Sequence, residues 1–385
     1  MLKNIKWKNY MNYIIVSVVA VVFSILSFSG ALDNKRSLTG MLEQILIAVI
    51  LAVSLSVVVG FLGELSLGHA GFMCLGAYIG GKVATLLDAD ASNHLVLILT
   101  VFLGGIVAAI FGFIIGLPAL RLKGDYLAIV TLAFGQIVVT IFKNTSKETF
   151  GGSSGLATIQ YGKSYLFIYC FAFLLITLAV IQNLIKSKHG RAITAIRDNE
   201  IAAKSTGINV TKYKLMAFVV SAFFAGVAGV LFSHSQSLID PRTFEYNYSI
   251  EILVLVVIGG MSSINGAIIS AALVTFLKIK LSDVLTGNLS VLQNIIYALV
   301  LVCIVIYRNA PMFKTFREKY NTRKLLDKVG ALWAKIGIGK KKTEATDPGD
   351  EGAWDRIPTK IKMDEILSVD VKVSESTKNP DKEES

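Results

Sequence analysis

Apolar residues along this chain fall in long runs rather than in alternating or heptad patterns. A membrane-crossing helix needs roughly 20 such residues. Runs that meet or approach that length lie near 13–32, 41–60, 66–87, 95–118, 126–142, 165–185, 213–233, 249–260, 264–281 and 290–307. The pattern predicts an all-α polytopic membrane protein of about ten transmembrane or re-entrant helices.

The interruptions are as informative as the runs. Between the sixth and seventh runs stands a polar, basic stretch from His189 to Asn209. Its interior reads as one short helix: Asp198 as N-cap, Glu200, Ala202 and Ala203 as helix formers, Gly207 as the stop. A loop that only reverses direction does not need a capped helix, whereas one that docks into a cleft on a soluble partner does. Two other breaks resemble each other. VVVGFLGELSLGHAG (57–71) and VVIGGMSSINGA (256–267) each pass from an apolar run through glycine and small polar residues to another glycine and a further apolar run. Interrupted segments in matching positions point to a transport path, although two tight interhelical turns would read the same way. The Gly259-Gly260 break leaves 249–281 as either two short crossings or a re-entrant pair. Small residues recur every fourth position at Gly104, Ala108, Gly112 and Gly116, and again at Ser221, Ala225 and Gly229, which predicts closely packed helices.

Composition agrees with the pattern: of 385 residues, 54% are hydrophobic and only 17% charged. The net charge of +11 would suit a nucleic-acid partner, but the basic residues sit at loops and ends. Lys3, Lys6 and Lys8 precede the first run. Lys186, Lys188, Arg191, Arg197, Lys204, Lys212 and Lys214 crowd the loop after the sixth, and Arg308 onward follows the last. The positive-inside rule makes these places cytoplasmic, with both termini inside, and DADASNH (88–94) external. Lys143, Lys147 and Arg242 fall on predicted external loops and count against this assignment. The first run is longer than a signal-peptide core of about 7–15 residues, so a retained first span is expected.

Residues 1–310 read as one membrane domain. Residues 311–342 form a basic juxtamembrane segment, either an amphipathic surface helix or ordinary positive flanking sequence. Residues 343–385 form an acidic, aromatic-poor tail that reads as disordered.

Chemistry is sparse. Cys74, Cys170 and Cys303 lie inside apolar runs and read as packing residues, and the four histidines are scattered without a metal-ligand spacing. Gly162-Lys163-Ser164 imitates the end of a phosphate-binding loop, but Ala157 stands where its first glycine should be and no strand precedes it. The chain therefore reads as a non-enzyme that binds no cofactor or metal. Polar residues inside apolar runs are the remaining candidates, since they usually face a cavity or a neighbouring helix. They are Glu64, Ser66, His69, Gln136, Ser262, Ser263 and Asn265, with Glu251 nearer the outer end. Gly68, Gly71, Gly259 and Gly260 complete a candidate substrate path, in which amides freed where a helix restarts after glycine would hold a carboxylate. Glu64 and His69 read equally well as hydrogen-bonding to neighbouring helices.

Glu200-Ile201-Ala202-Ala203 with Gly207 resembles the loop with which permease subunits of ABC importers grip their ATPases. GRAITAIRDNEIAAKSTGI, SLGHAG, AFFAGVAGVL and IGGMSSINGA together resemble the branched-chain amino-acid ABC transporter permease family, LivM type, over roughly residues 40–310. The resemblance implies a type II-like importer bundle in the cell (inner) membrane. It also implies a second, different permease subunit, an external substrate-binding protein and two ABC ATPase subunits that use ATP and Mg. Arg191, Arg197, Asp198, Glu200, Ala202, Ala203 and Gly207 become the docking residues. The cargo implied is leucine, isoleucine or valine. Related permeases carrying urea or short amides are the alternative, and an ATP-independent secondary transporter is disfavoured by the scarcity of intramembrane carboxylates.

Overall fold

The computed structural model describes residues 36–87, 93–122, 124–161, 163–284, 295–299, 302 and 306, all within one unit, Met1–Asn309. Helix α1 (Arg36–Ser56) widens into a π-type turn over Val57–Leu62. There follow α2 (His69–Leu86), α3 (His94–Ala119), α4 (Asp125–Asn144) and α5 (Lys163–Lys186). Next come two short helices, α6 (Lys188–Asp198) and α7 (Glu200–Ser205), and then α8 (Val210–Ser235), α9 (Tyr246–Gly259) and α10 (Ile264–Val284). Leu156–Ala157 and Leu238–Ile239 form a small antiparallel pair (β1, β2) at the end of α8 remote from α6 and α7.

Among the described residues, six helices are long and apolar enough to cross a membrane. With the less apolar α2 and the shorter α9 they account for eight of the ten expected runs. The run at 13–32 lies outside the described residues, as does most of 290–307, so the count of ten is not reached within them. The basic segment 311–342 and the acidic tail also lie outside. The 249–281 region resolves into unequal arms: α9 has 14 residues, about 21 Å at 1.5 Å per residue, short of a bilayer core of about 30 Å. Its partner α10, with 21 residues, is long enough.

The bundle is built around small residues. Helix α2 runs through its interior, where Ala70, Phe72, Met73, Cys74, Ala77 and Tyr78 are all buried. A helix sheltered from lipid need not be strongly apolar, which is why α2 is the weaker run. Against it cross α3 and α8. A Cβ on Gly76 would lie 2.2 Å from the Gly226 carbonyl, one on Gly229 2.0 Å from the Met73 carbonyl, and one on Gly226 2.6 Å from the Gly104 carbonyl. Backbones touch here, so three helices meet where only glycine fits. The other side of α3 shows Ile98, Phe102, Ile106, Ile110 and Phe113 outward, the spacing of a lipid-facing stripe.

Gly229→Val, whose added carbons must enter the Met73 backbone, should cost at least about 1–3 kcal/mol of overpacking. Leu99→Ala, on the outward face, should cost far less. Thermal unfolding of the two purified variants in one detergent measures the difference.

Candidate coupling site

The site grows out of the break after α1. A helix ends with carbonyls that have no partner further along, and inside a membrane no water replaces one. Here the π turn leaves the Gly60 carbonyl to outside donors. Ser262 Oγ donates to it at 2.7 Å and Arg197 Nη1 at 3.2 Å. Arg197 also donates to Ser262 Oγ, and through Nε and Nη2 to Asp198 Oδ1 at 3.0 and 2.8 Å. Its stem crosses Gly63, where a Cβ would lie 2.6 Å from Arg197 Cγ. Gly63 has φ 80°, a conformation open to glycine, and turns the chain out of the helix.

A second tie lies beside the first. Lys214, near the start of α8, is 3% exposed; its Nζ donates to Glu64 Oε1 and, at 3.2 Å, to Glu200 Oε2. Glu64 belongs to the break after α1, whereas Glu200 opens α7. Two cations thus stand where α1 ends, the sign a helix C-terminus favours, and each links that end to the α6–α7 segment.

The α6–α7 segment corrects the single-helix expectation. Ser187 caps α6 by accepting from the His189 and Gly190 amides at 3.1 and 3.4 Å. The cap of α7 is Asn199, whose Oδ1 accepts from the Ala202 amide at 3.0 Å. Asp198, expected there, instead closes α6 and holds the Arg197 guanidinium. The reason is backbone geometry: Asn199 has the extended conformation an N-cap requires (φ −159°, ψ 105°). Gly207 does stop the helix. Ile208 N donates to Ala203 O and Gly207 N to Lys204 O, both at 3.1 Å, with Gly207 at φ 85°, the paired bonds of a Schellman end. Ala203 is buried. Arg191, Ala202 and Gly207 are exposed, and Ile201 is 77% exposed. The segment presents an aliphatic side chain and an unobstructed glycine on a polar, basic surface.

The remaining candidate path residues are bound into packing. His69 Nε2 and Ser54 Oγ share a 2.8 Å hydrogen bond in the buried interior. The Leu67 amide donates to Thr131 Oγ1 at 3.0 Å and the Ala70 amide to Ser249 Oγ at 3.1 Å. Those of Gly71 and Phe72 go to Gly68 O. Ser66 is buried. Gly68 and Gly71 let this segment lie against α4, where added Cβ atoms would meet Thr131 O at 2.6 Å and Gly135 Cα at 2.7 Å. Gln136, half-buried, lies on that same helix. Gly259 lets the α9–α10 hairpin close, since its Cβ would lie 2.6 Å from the Ala267 amide. Gly260 turns the chain at φ 97°, and Asn265 is exposed on the first turn of α10.

Residues 37–305 match the family described as "Branched-chain amino acid transport system / permease component". The chain belongs to this family. It is 34% identical over 316 residues to the high-affinity branched-chain amino acid transport system permease protein LivM of Salmonella typhimurium, covering 72% of this chain and 71% of that one. It is 26% identical to a probable branched-chain amino acid transport permease protein LivM of Methanocaldococcus jannaschii, over 50% of this chain and 59% of that one. It is also 26% identical to the ribose import permease protein RbsC of Haemophilus influenzae, over 77% and 91%. No solved structure gives a significant match.

For this permease the structure joins residues that the sequence reading kept apart. Arg197, read as a docking residue, bonds Ser262, read as substrate path, and Glu200, read as docking, shares Lys214 with Glu64, read as path. Gly60 and Lys214 were missed in their roles. A lysine at the second position of the apolar run 213–233 is a signal for a buried partner, but along the chain it reads with the loop charges just before it.

Lys214→Met should leave Glu64 and Glu200 without their cation and cost on the order of 3 kcal/mol, read as a lower unfolding temperature. Arg197→Lys keeps the charge but loses the planar fork. It should speed amide hydrogen exchange in Glu200–Ser205 while leaving α2 and α3 protected.

Proposed function

We propose that this chain is one of two different permease subunits of an ATP-driven importer that carries leucine, isoleucine and valine across the cell membrane. The observation that carries the reading is the α6–α7 segment: a capped, exposed helix with Ile201 at its surface, tied at its base into the bundle. The basic residues around it make that side cytoplasmic, with both chain termini on the same side. Two ATPase subunits receive the segment, an external binding protein delivers the substrate, and ATP and Mg are used on the ATPases. The similarity to LivM proteins favours amino acids over the sugars named for the weaker relatives.

The geometry supports a route for coupling. ATP-driven closure of the ATPases moves α7; Glu200 and Arg197 carry that motion to Lys214, Glu64, Gly60 and Ser262. These lie where α1 breaks and where the α9–α10 hairpin turns, so the force arrives at the two interruptions, the places where helices can pivot. Taking the bundle from 1:99 to 99:1 between its two orientations requires ~5.5 kcal/mol.

Ile201→Asp leaves packing untouched and should cut co-purification of the ATPases at least tenfold. Gly207→Trp, filling the open space at the helix end, should do the same; normal co-purification with both variants would overturn the docking assignment. In vesicles holding the complete complex, labelled leucine should accumulate only with ATP, and isoleucine and valine should suppress it. Suppression by urea or ribose instead would assign a different cargo to the same machine.

A further inference from the structure

A cavity of about 460 Å³ opens between α1, α9 and α10, beside the end of α8. Its volume lies in the range of roughly 300–1,000 Å³ usual for small-molecule sites. The walls include Ile47 and Leu51 of α1 and Ile252 and Leu255 of α9. The lining also carries polar groups, Gln44, Gln236, Thr275 and Asp283 among them, and two opposite charges that face each other, Glu251 and Lys278. Lys278 of α10 donates to both carboxylate oxygens of Glu251 on α9, at 2.8 and 2.7 Å, and Tyr297 Oη donates to Glu251 Oε1 at 3.3 Å. Both groups stay reachable from the cavity, with side chains 22% exposed for Glu251 and 39% for Lys278.

Glu251 lies within α9 and Lys278 within the membrane-length helix α10. Ionised side chains on helices of this kind are uncommon and usually mark a function. A partly exposed ion pair of this kind contributes little to stability. Packing alone therefore does not account for the pair. None of the residues that tie the coupling site together lines this cavity.

We infer that the Glu251–Lys278 pair is the recognition element for the α-ammonium and α-carboxylate of a free amino acid with an aliphatic side chain. The inference rests on the importer reading and names its substrate site. A zwitterion enters by exchange. The pair opens, Glu251 takes the substrate ammonium, and Lys278 takes the substrate carboxylate. Every charge keeps an opposite partner, and the sum inside the membrane stays zero. A neutral molecule offers no such exchange, and an amine or a carboxylate alone leaves one protein charge unpaired. Ile47, Leu51, Ile252 and Leu255 receive the aliphatic side chain, whose burial from water is favourable. Without substrate the pair closes on itself, and Asp283, which also lines the cavity, is paired with Lys280 at 3.3 Å.

The test uses the full chain assembled with its partner permease, ATPases and binding protein. Glu251→Gln, Lys278→Met and the double variant are compared for ATPase co-purification and ATP-driven uptake of labelled leucine. The double variant removes both charges together and should assemble normally, yet its leucine uptake should fall at least tenfold, as in each single variant. Double-variant uptake within twofold of wild type would show a structural pair and overturn the inference while leaving the importer reading intact. Failure of the wild-type complex to assemble or to import leucine would sink the importer reading itself. A second measurement needs no variant. Millimolar leucine should raise the unfolding temperature of the wild-type permease–ATPase complex without binding protein, whereas leucinamide and 4-methylpentanoate should not. No shift with leucine, or equal shifts with all three, would overturn the assignment.

Discussion

A helix interrupted inside a bilayer exposes amides and carbonyls that water cannot reach, and each must find a partner within the protein. Among the described residues the apolar helices are interrupted twice, after α1 and between α9 and α10, and much of the polar structure there is organised by that requirement. The Gly60 carbonyl is met by Ser262 and Arg197. The Leu67 and Ala70 amides are met by Thr131 and Ser249. Each partner comes from a distant part of the sequence, so satisfying the breaks also fastens α1, α4, α6, α9 and α10 together.

The same requirement links the two ends of the proposed mechanism. A break stabilised by side chains from the α6–α7 segment is sensitive to movement of that segment: displacing Arg197 leaves the Gly60 carbonyl with Ser262 alone, and displacing Glu200 leaves Lys214 with Glu64 alone. The close glycine crossing of α2, α3 and α8 supplies the opposite property. Backbone-to-backbone packing through Gly76, Gly104, Gly226 and Gly229 leaves little room for sliding. The structure thus combines a tight three-helix centre with interruptions that the proposed mechanism uses as pivots, and the Glu251–Lys278 cavity lies between α1, α9 and α10.

Much of the architecture was legible along the chain because lipid imposes a simple rule. Long apolar runs become helices, four-residue spacing of small residues becomes contact, and glycine after a short polar helix becomes its end. The predicted stripe from Gly104 to Gly116 and the stop at Gly207 follow from those local rules. The boundary between α6 and α7 was not legible, since Asp198 and Asn199 are both good caps and only the backbone conformation separates them.

By itself, the sequence determined that this is a helical membrane protein and where its helices are interrupted, and it placed a short exposed helix between the sixth and seventh runs. These are consequences of local composition and of the cost of polar groups in hydrocarbon. Which distant residues repair the interruptions was decided by tertiary structure alone. Arg197 lies 137 positions from Gly60, Lys214 150 from Glu64, and Lys278 27 from Glu251. Electrostatic and hydrogen-bond partners are chosen by position in space, and no spacing rule along a chain specifies pairs at such separations.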